Sequence, residues 1–255
     1  MPANEENTKS HNNWDIIAER FNTHVALNKI HPDAAVNIYV GWPFFFDQIK
    51  YQTEFLGKKH CNIMDFGCGA GDFCVKLNAI GHNVIGVDSS ENMLKNARQN
   101  SPQEIKYVHC DLSHDKETLG NYKGMMDIVT AIHSIDWVEN VEDLLSGLVE
   151  LLDKDGLLLF AVFSRSHVVD SLKIKDLFEE FDSDCDPQNG VCNFDGVKIP
   201  VYIRESAYFD GIMKKLKCFK VLEYYPPFPD VFFKTYKWTG SLFPEMMILG
   251  YRKTD

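Results

Sequence analysis

The spacing of hydrophobic and polar residues changes along the chain. From Trp14 to about Phe55 the apolar residues recur at helical spacing, and Pro32 and Pro43 interrupt them. Beyond this segment, short apolar runs alternate with amphipathic helical stretches. The predicted strands are Asn62–Phe66, Asn83–Val87, Ile105–Cys110, Asp127–Ile132 and Leu157–Val162, and the predicted helices between them are Asp72–Ile80, Ser90–Asn100 and Val141–Leu152. This alternation predicts βαβ units, and therefore a parallel sheet covered by helices on both faces.

The alternation ends at Phe163. The pattern then predicts, in order, a helix over Val168–Phe181, a polar loop over Asp182–Phe194, a strand over Val197–Ile203, a helix over Ser206–Leu216, and closing strands over Phe219–Tyr224 and Met246–Tyr251. We interpret residues 14–255 as a single domain that follows a disordered leader (1–13). Within the domain, residues 14–58 are predicted to form a helical lid and residues 164–206 an inserted substrate cap.

Composition and charge narrow the possible partners. With 255 residues and 45 % apolar content, the chain can bury the core of one large α/β domain. A net charge of −11 disfavours binding to a nucleic acid, because a phosphate backbone would be repelled. No apolar run approaches the roughly 20 residues of a membrane span. We therefore expect no nucleic-acid or membrane partner, and a monomer or homodimer.

The seven cysteines are an odd number, and several lie inside apolar strand-like runs, which is typical of the reducing cytoplasm. Cys185 and Cys192 lie close together in a polar segment, where a disulfide or a metal pair is conceivable. However, no second Cys/His pair with zinc spacing accompanies them, so we expect no metal site.

The most informative segment joins the first predicted strand to the first helix: Asp65-Phe-Gly67-Cys68-Gly69-Ala-Gly71-Asp72. Glycines permit positive φ and close approach of a ligand to the backbone, and the helix that follows presents unpaired N–H groups. A P-loop would require Gly-Lys-Ser/Thr, which is missing. The dinucleotide fingerprint would require a third glycine at Asp72, where a carboxylate would instead repel a pyrophosphate. S-adenosylmethionine (SAM) has no phosphate, and its amino-acid part offers an ammonium for Asp65 and a carboxylate for the backbone amides.

Acidic residues also end the next two predicted strands. Asp88 ends the second, where a carboxylate can accept both hydroxyls of a ribose; this position alone would also suit NAD. Ser90 is predicted to cap the helix that carries Met93, and Met93 packs either on an adenine ring or in the core. Asp111 ends the third strand, where it accepts from an adenine amino group or caps the following turn, while the amide of Leu112 can face a ring nitrogen.

This ordered set, together with Ala131 and Trp137-Val138, resembles the class I SAM-dependent methyltransferases, and within them the small-molecule group that includes ubiquinone-type and trans-aconitate-type enzymes. The resemblance covers about Asn62–Val162 and the two closing strands. It implies a Rossmann-like α/β fold whose seven-stranded, mostly parallel sheet has an antiparallel last strand between strands five and six. It also implies SAM as cofactor, with contacts at Asp65, Gly67, Gly69, Asp88, Ser89, Asp111, Leu112 and Ala131. We add Cys68 of the glycine turn and Met93 as candidate cofactor contacts.

Two positions depart from this family pattern. Phe21 stands where many relatives have a tyrosine, which puts a hydroxyl contact to SAM in doubt. Asp136-Trp137 stands where many relatives have a histidine nearby.

Candidate catalytic and substrate residues follow the fourth strand. His133 is either a general base or a structural histidine, and Asp136 either orients it or binds a cationic substrate. A base is not obligatory, because the sulfonium donor is already activated. Further candidates for substrate binding lie in the aromatic segment before the first strand, in the insertion, and beside His133: Tyr39, Trp42, Trp137, Tyr202 and Arg204.

We therefore expect a cytoplasmic enzyme that methylates O, N or C of a small molecule. The alternatives are a protein or RNA methyltransferase, and a SAM-binding protein with a non-methylating or regulatory role.

Overall fold

A computed structural model describes residues 13–112, 115, 117–174, 177–181 and 188–254. The predicted leader is thus outside the described residues except for Asn13, and so is Cys185. Cys192 is described, and its side chain is a buried free thiol. None of the helices in the described part of the chain has the length and apolarity that crossing a membrane requires.

A seven-stranded sheet forms the centre of the molecule. Its strands are β1 (Asn62–Phe66), β2 (Asn83–Asp88), β3 (Lys106–His109), β4 (Met126–Ile132), β5 (Leu152–Phe163), β9 (Cys218–Tyr224) and β10 (Met246–Lys253). They are ordered β3-β2-β1-β4-β5-β10-β9. All neighbours from β3 to β5 pair in parallel, and β10 is antiparallel to both β5 and β9. The expected sheet, with its antiparallel last strand between the fifth and sixth, is confirmed.

Helices cover both faces, as the two-sided burial of the strands requires. The helices are α1 (Pro32–Val36), α2 (Trp42–Phe55), α3 (Asp72–Ala79), α4 (Glu91–Asn100), α5 (Val141–Leu151), α6 (Arg165–Ile174), α7 (Ser206–Lys215) and α8 (Asp230–Thr235). A π-helical turn, Asn37–Gly41, joins α1 to α2. One face of the sheet packs against α5 and α7, and the other against α2, α3 and α4.

Residues after β5 form a second, smaller sheet. Its strands are β6 (Phe178–Glu179), β7 (Gln188–Phe194) and β8 (Val197–Ile203), and neighbouring strands pair antiparallel. Phe178, Cys192 and Phe194 bury one face of this sheet against Phe163 at the end of β5 and against Ile17 from the N-terminal segment. The smaller sheet therefore lies beside the carboxyl end of β5.

Two local predictions were wrong, and one short helix was not predicted. The loop expected over Asp182–Phe194 contains strand β7, because Cys192 and Phe194 alternate with Asn193 and face the core. The helix expected over Val168–Phe181 runs from Arg165 to Ile174, and β6 follows it. Helix α8 was not predicted, since prolines precede it.

Candidate functional site

A cavity of about 430 Å³ opens at the carboxyl ends of β1 to β4. In open α/β sheets, ligands bind beyond this edge, because the loops that leave the parallel strands converge there. Here the cavity is bounded by those loops, by the N-terminal segment and by the smaller sheet, so that a cofactor side and a roof can be distinguished.

The glycine turn forms the floor of the cofactor side. The amides of Gly67 and Cys68 both donate to Val87 O, at 2.8 and 3.0 Å, and fix the turn against β2. Gly67 has φ +71°, and a Cβ there would lie 2.3 Å from Cβ of Ser134. Gly71, with φ +83°, is the N-cap of α3. Both positions therefore require glycine, which leaves the backbone of the turn open to the cavity.

Asp65 is the buried acid of this floor. Its side chain accepts from Thr130 Oγ1 at 2.7 Å and from Cys74 Sγ at 3.5 Å, both neutral donors. Burial raises the pKa of Asp65 to about 7, since removal from water disfavours the carboxylate. Asp65 also lines the cavity. A cationic group that binds beside it would favour the ionised form.

Asp88 ties the turn to the next helix. One carboxylate oxygen accepts from Gly69 N and the other from Ser90 N, both at 2.8 Å. Burial raises the pKa of Asp88, and these backbone hydrogen bonds act in the opposite direction. The side chain of Ser90 in turn accepts from Met93 N at 3.2 Å and caps α4. The carboxylate is therefore held rigidly at the cavity wall.

The remaining predicted cofactor residues fall into two groups. Ser89, Met93 and Asp111 line the cavity, as does Cys68, whose thiol pKa burial raises. Leu112 and Ala131 are buried and are not among the cavity-lining residues.

His133 and Asp136 form a hydrogen-bonded pair at the end of β4. His133 Nδ1 lies 3.1 Å from one oxygen of Asp136, and the other oxygen accepts from Phe163 N at 3.0 Å. The backbone of His133 has φ +48°, a conformation unfavourable for a residue with a Cβ. It is held by donation of its amide to Ala161 O at 3.0 Å and by the indole N–H of Trp137, which donates to its carbonyl. Such over-determined backbone strain is frequent at functional sites.

The imidazole of His133 is presented to the cavity with one nitrogen unused. Its side chain is 10 % exposed, and Nε2 has no hydrogen-bond partner among the described residues. Because Nδ1 faces a carboxylate, Nδ1 carries the proton and Nε2 is the acceptor. Nε2 is thus a buried acceptor without a described partner, on a side chain that lines the cavity.

Aromatic side chains roof the cavity above His133. The centroid of the Phe163 ring lies 4.4 Å from that of the His133 ring and 5.7 Å from that of the Trp137 ring. Trp137 also packs against Trp14 of the N-terminal segment and Phe194 of β7, with ring centroids 5.0 and 6.1 Å apart. Three distant parts of the chain thus meet in one aromatic cluster. Trp42, predicted to contact substrate, also lines the cavity.

The structure does not bring three predicted substrate residues to the cavity. Tyr39 packs against Phe232 and Tyr236 instead. Tyr202 and Arg204 lie outside the lining, and Arg204 is only 2 % exposed. The guanidinium donates to the carbonyls of Val138 and Glu139, at 2.6 and 2.9 Å. Arg204 thus fixes the cavity rim to β8, and we drop these three residues from the candidate site.

Several lining residues were missed by the sequence interpretation: Asp33, Asn37, Phe194 and Glu245. A signal existed for two of them. Asn37 is a polar residue that follows the buried run Ala34–Val36. Glu245 immediately precedes β10, and an antiparallel strand begins at the edge where its parallel neighbours end.

Comparisons with known proteins agree with this geometry. The sequence model of a family described as a methyltransferase domain matches residues 44–198. A ubiquinone biosynthesis O-methyltransferase of Thiobacillus denitrificans is 27 % identical over 118 residues, which is 46 % of this chain and 50 % of that protein. The chain spans about half the length of the curated relatives it matches.

Two solved structures share the architecture. Magnesium protoporphyrin IX methyltransferase from Synechocystis PCC 6803 with bound S-adenosylhomocysteine (SAH) has a TM-score of 0.66 at 17 % identity, covering 98 % of this chain and 100 % of that one. Burkholderia thailandensis 1,6-didemethyltoxoflavin-N1-methyltransferase has a TM-score of 0.54 at 14 % identity, with coverages of 97 % and 85 %. At these identities the likeness is one of fold.

Proposed function

Because the chain belongs to the methyltransferase domain family and has the fold of SAM-dependent methyltransferases, we propose that it transfers a methyl group from SAM to a small-molecule acceptor. The family predicted from the ordered acidic and glycine motif is confirmed by the family match over residues 44–198. The observation that carries the proposed activity is the buried Asp65 beside the open glycine turn.

The residues on the cofactor side fit the chemistry of SAM. Asp65, whose described partners are neutral, complements an ammonium. The first turn of α3, which follows the glycine turn, presents backbone N–H groups that suit a carboxylate. Asp88 supplies acceptor oxygens for ribose hydroxyls, while Met93 and Asp111 line the same cavity. When bound, SAM supplies a methyl group already activated by its positively charged sulfur.

The same residues disfavour a dinucleotide. Asp65, Asp72 and Asp88 all line the cavity around the glycine turn, and a pyrophosphate there would face three carboxylates. Lys76 compensates only one of them, at 3.9 Å from Asp72. An NAD-dependent activity would therefore require binding against this electrostatic repulsion.

This chain's contribution to the reaction is positioning, exclusion of water and removal of one proton. The aromatic roof keeps the acceptor beside His133, and Nε2 of His133 takes the proton of the acceptor group. Asp136 orients the ring and stabilises the imidazolium that results. Hence the catalytic pair proposed is His133 as general base and Asp136 as its positioning residue.

A small acceptor fits the site better than a protein or RNA. The cavity volume, about 430 Å³, lies in the range of small-ligand pockets. Of the described residues that line it, none is Lys or Arg, the residues on which phosphate recognition depends. A long polymer would also have to pass the roof formed by Trp14, Trp137 and Phe194.

Titration calorimetry with SAM, SAH and NAD tests this proposal. We expect binding of SAM and SAH and no binding of NAD. Asp88→Ala should weaken SAH binding by about 1.5–3 kcal/mol, the usual contribution of a charged hydrogen-bond pair. Glu91→Gln, three residues away on the exposed start of α4, is the matched control. Binding of NAD without SAM or SAH would refute the proposal, and unchanged affinity in Asp88→Ala would refute the ribose role.

A further inference from the structure

The cavity carries a strong excess of negative charge. Its described lining residues include seven carboxylates and no Lys or Arg: Asp33, Asp65, Asp72, Asp88, Asp111, Glu139 and Glu245. Arg20 lies 2.8 Å from Asp33, and Lys76 lies 3.9 Å from Asp72. An anionic ligand would thus enter a negative cavity without a lysine or arginine in the described wall to receive it.

Part of this charge lies under the roof, away from the cofactor side. Glu245 is 8 % exposed and borders the cavity at the start of β10. The buried thiol of Cys192, in the smaller sheet, has a raised pKa, chiefly because of burial and further because of Asp136, Asp33 and Glu245. Asp33 and Glu245 line the cavity together with the roof residues Trp14, Trp137 and Phe194, and we call this part the acceptor half. Asp136 is hydrogen-bonded to His133, which lines the cavity too.

The unsatisfied polar atoms in this half are hydrogen-bond acceptors. Nε2 of His133, on a side chain nine-tenths buried, has no partner, and neither has the buried Oδ1 of Asn37, within the described part of the chain. Both residues line the cavity. A ligand that satisfies both atoms must bring donors, and an ammonium group has donors only.

The walls in this half are aromatic. Trp14, Phe21, Trp137, Phe163 and Phe194 all line the cavity. Aromatic faces attract cations and pack well against flat apolar groups. The walls and the carboxylates therefore favour the same kind of ligand.

Resting on the proposed function, we infer that the acceptor is a primary or secondary amine on a flat apolar body, which the cavity binds as its ammonium cation. One N–H proton passes to Nε2 of His133, leaving a lone pair on the amine nitrogen. This pair forms the new N–C bond to the methyl group. The C–S bond breaks, its electron pair stays on sulfur, and a neutral thioether and a methylated ammonium are formed. The imidazolium of His133 then releases its proton to water.

Three matched probes test the inference by binding alone: 2-phenylethylamine, 2-phenylethanol and 3-phenylpropionate, titrated into the SAH-loaded protein with tryptophan fluorescence and calorimetry as readouts. We expect the amine to bind about tenfold more tightly than the alcohol, and the carboxylate most weakly. Binding of SAH is measured first, so failure of the proposed function appears there. Failure of the inference would appear only in the order of affinity of the three probes.

Glu245→Gln removes a charge with little change of shape, and it should reduce the preference for amine over alcohol by about three- to tenfold. Glu150→Gln, at an exposed acid of α5, is the control. Thermal unfolding checks that both variants fold. If Glu245→Gln does not fold, Asn37→Leu replaces it in the test and should weaken amine binding by a similar factor. Equal binding of the three probes, preference for the carboxylate, or no amine binding at millimolar concentration would overturn the inference.

Discussion

The two halves of the cavity are built in different ways. The cofactor half consists of neighbouring strand ends, where Gly67, Cys68 and Asp88 are linked by hydrogen bonds between β1 and β2. The acceptor half joins residues that are far apart in sequence, such as Trp14 and Glu245. The first half is fixed by backbone geometry and the second by side-chain packing. We therefore expect variants in the two halves to have separable effects on cofactor and on acceptor.

The largest expected effect falls on turnover alone. His133→Ala removes the ring nitrogen proposed as general base, and should lower turnover by about 10²–10⁴-fold, the usual contribution of such a group. Affinity for SAH should change little, because the cofactor half is intact. Single-turnover kinetics and calorimetry measure the two quantities, with His60→Ala, at an exposed histidine, as control. Equal losses in both would place His133 in cofactor binding and break the distinction between the halves.

Gly67→Ala tests the backbone of the cofactor half. Its positive φ and the contact with Ser134 should together cost about 3 kcal/mol of unfolding free energy, and SAH binding should fall about 100-fold. Gly57→Ala is the matched control, since its φ is also positive, at +62°, no atom lies within 4 Å of the added Cβ, and the residue does not line the cavity. Denaturant unfolding measures the loss of stability of each variant, and calorimetry measures its loss of SAH affinity. If both variants behaved alike, steric closure at Gly67 would not be the cause.

Asp65 should make cofactor binding depend on pH. Its pKa of about 7 in the free protein means that at lower pH the carboxyl is protonated and must lose its proton to pair with an ammonium. SAH affinity should therefore rise about 15-fold from pH 5.5 to 7, a range in which an α-amino group stays protonated. The sign for folding is opposite, because a raised carboxyl pKa favours the folded state at low pH and this contribution is lost as pH rises towards 7.

Asp65→Asn is the control for this titration. It should bind SAH weakly and with little change between pH 5.5 and 7. A flat profile in the unmodified protein would show that Asp65 does not face the ammonium.

The same contrast explains what the sequence could predict. The turn from Asp65 to Asp72 was identified because its function depends on local residue types at fixed spacing. Arg204 could not be placed, since its role comes from backbone carbonyls more than 60 residues away. Strand β7 was missed because Asn189, Gly190 and Asn193 make it resemble a loop, although Cys192 and Phe194 face the core. Where contacts are long-range, the pattern of one segment does not specify its partner.

The smallest expected effect concerns the roof alone. Phe194→Leu keeps an apolar side chain but removes ring contacts with Trp14, Phe21 and Trp137, at 6.1, 5.6 and 6.1 Å. Each aromatic pair contributes about 0.5–1.5 kcal/mol, so we expect the KM for acceptor to rise about three- to tenfold. Affinity for SAH should stay within about twofold, because Phe194 lies on the smaller sheet, whereas the glycine turn is held by its own hydrogen bonds to Val87 and Asp88. Phe219→Leu, at a half-exposed position on β9, is the control. A parallel loss of SAH affinity in Phe194→Leu would mean that the roof also orders the cofactor half, and that the two halves fold around their ligands as one unit.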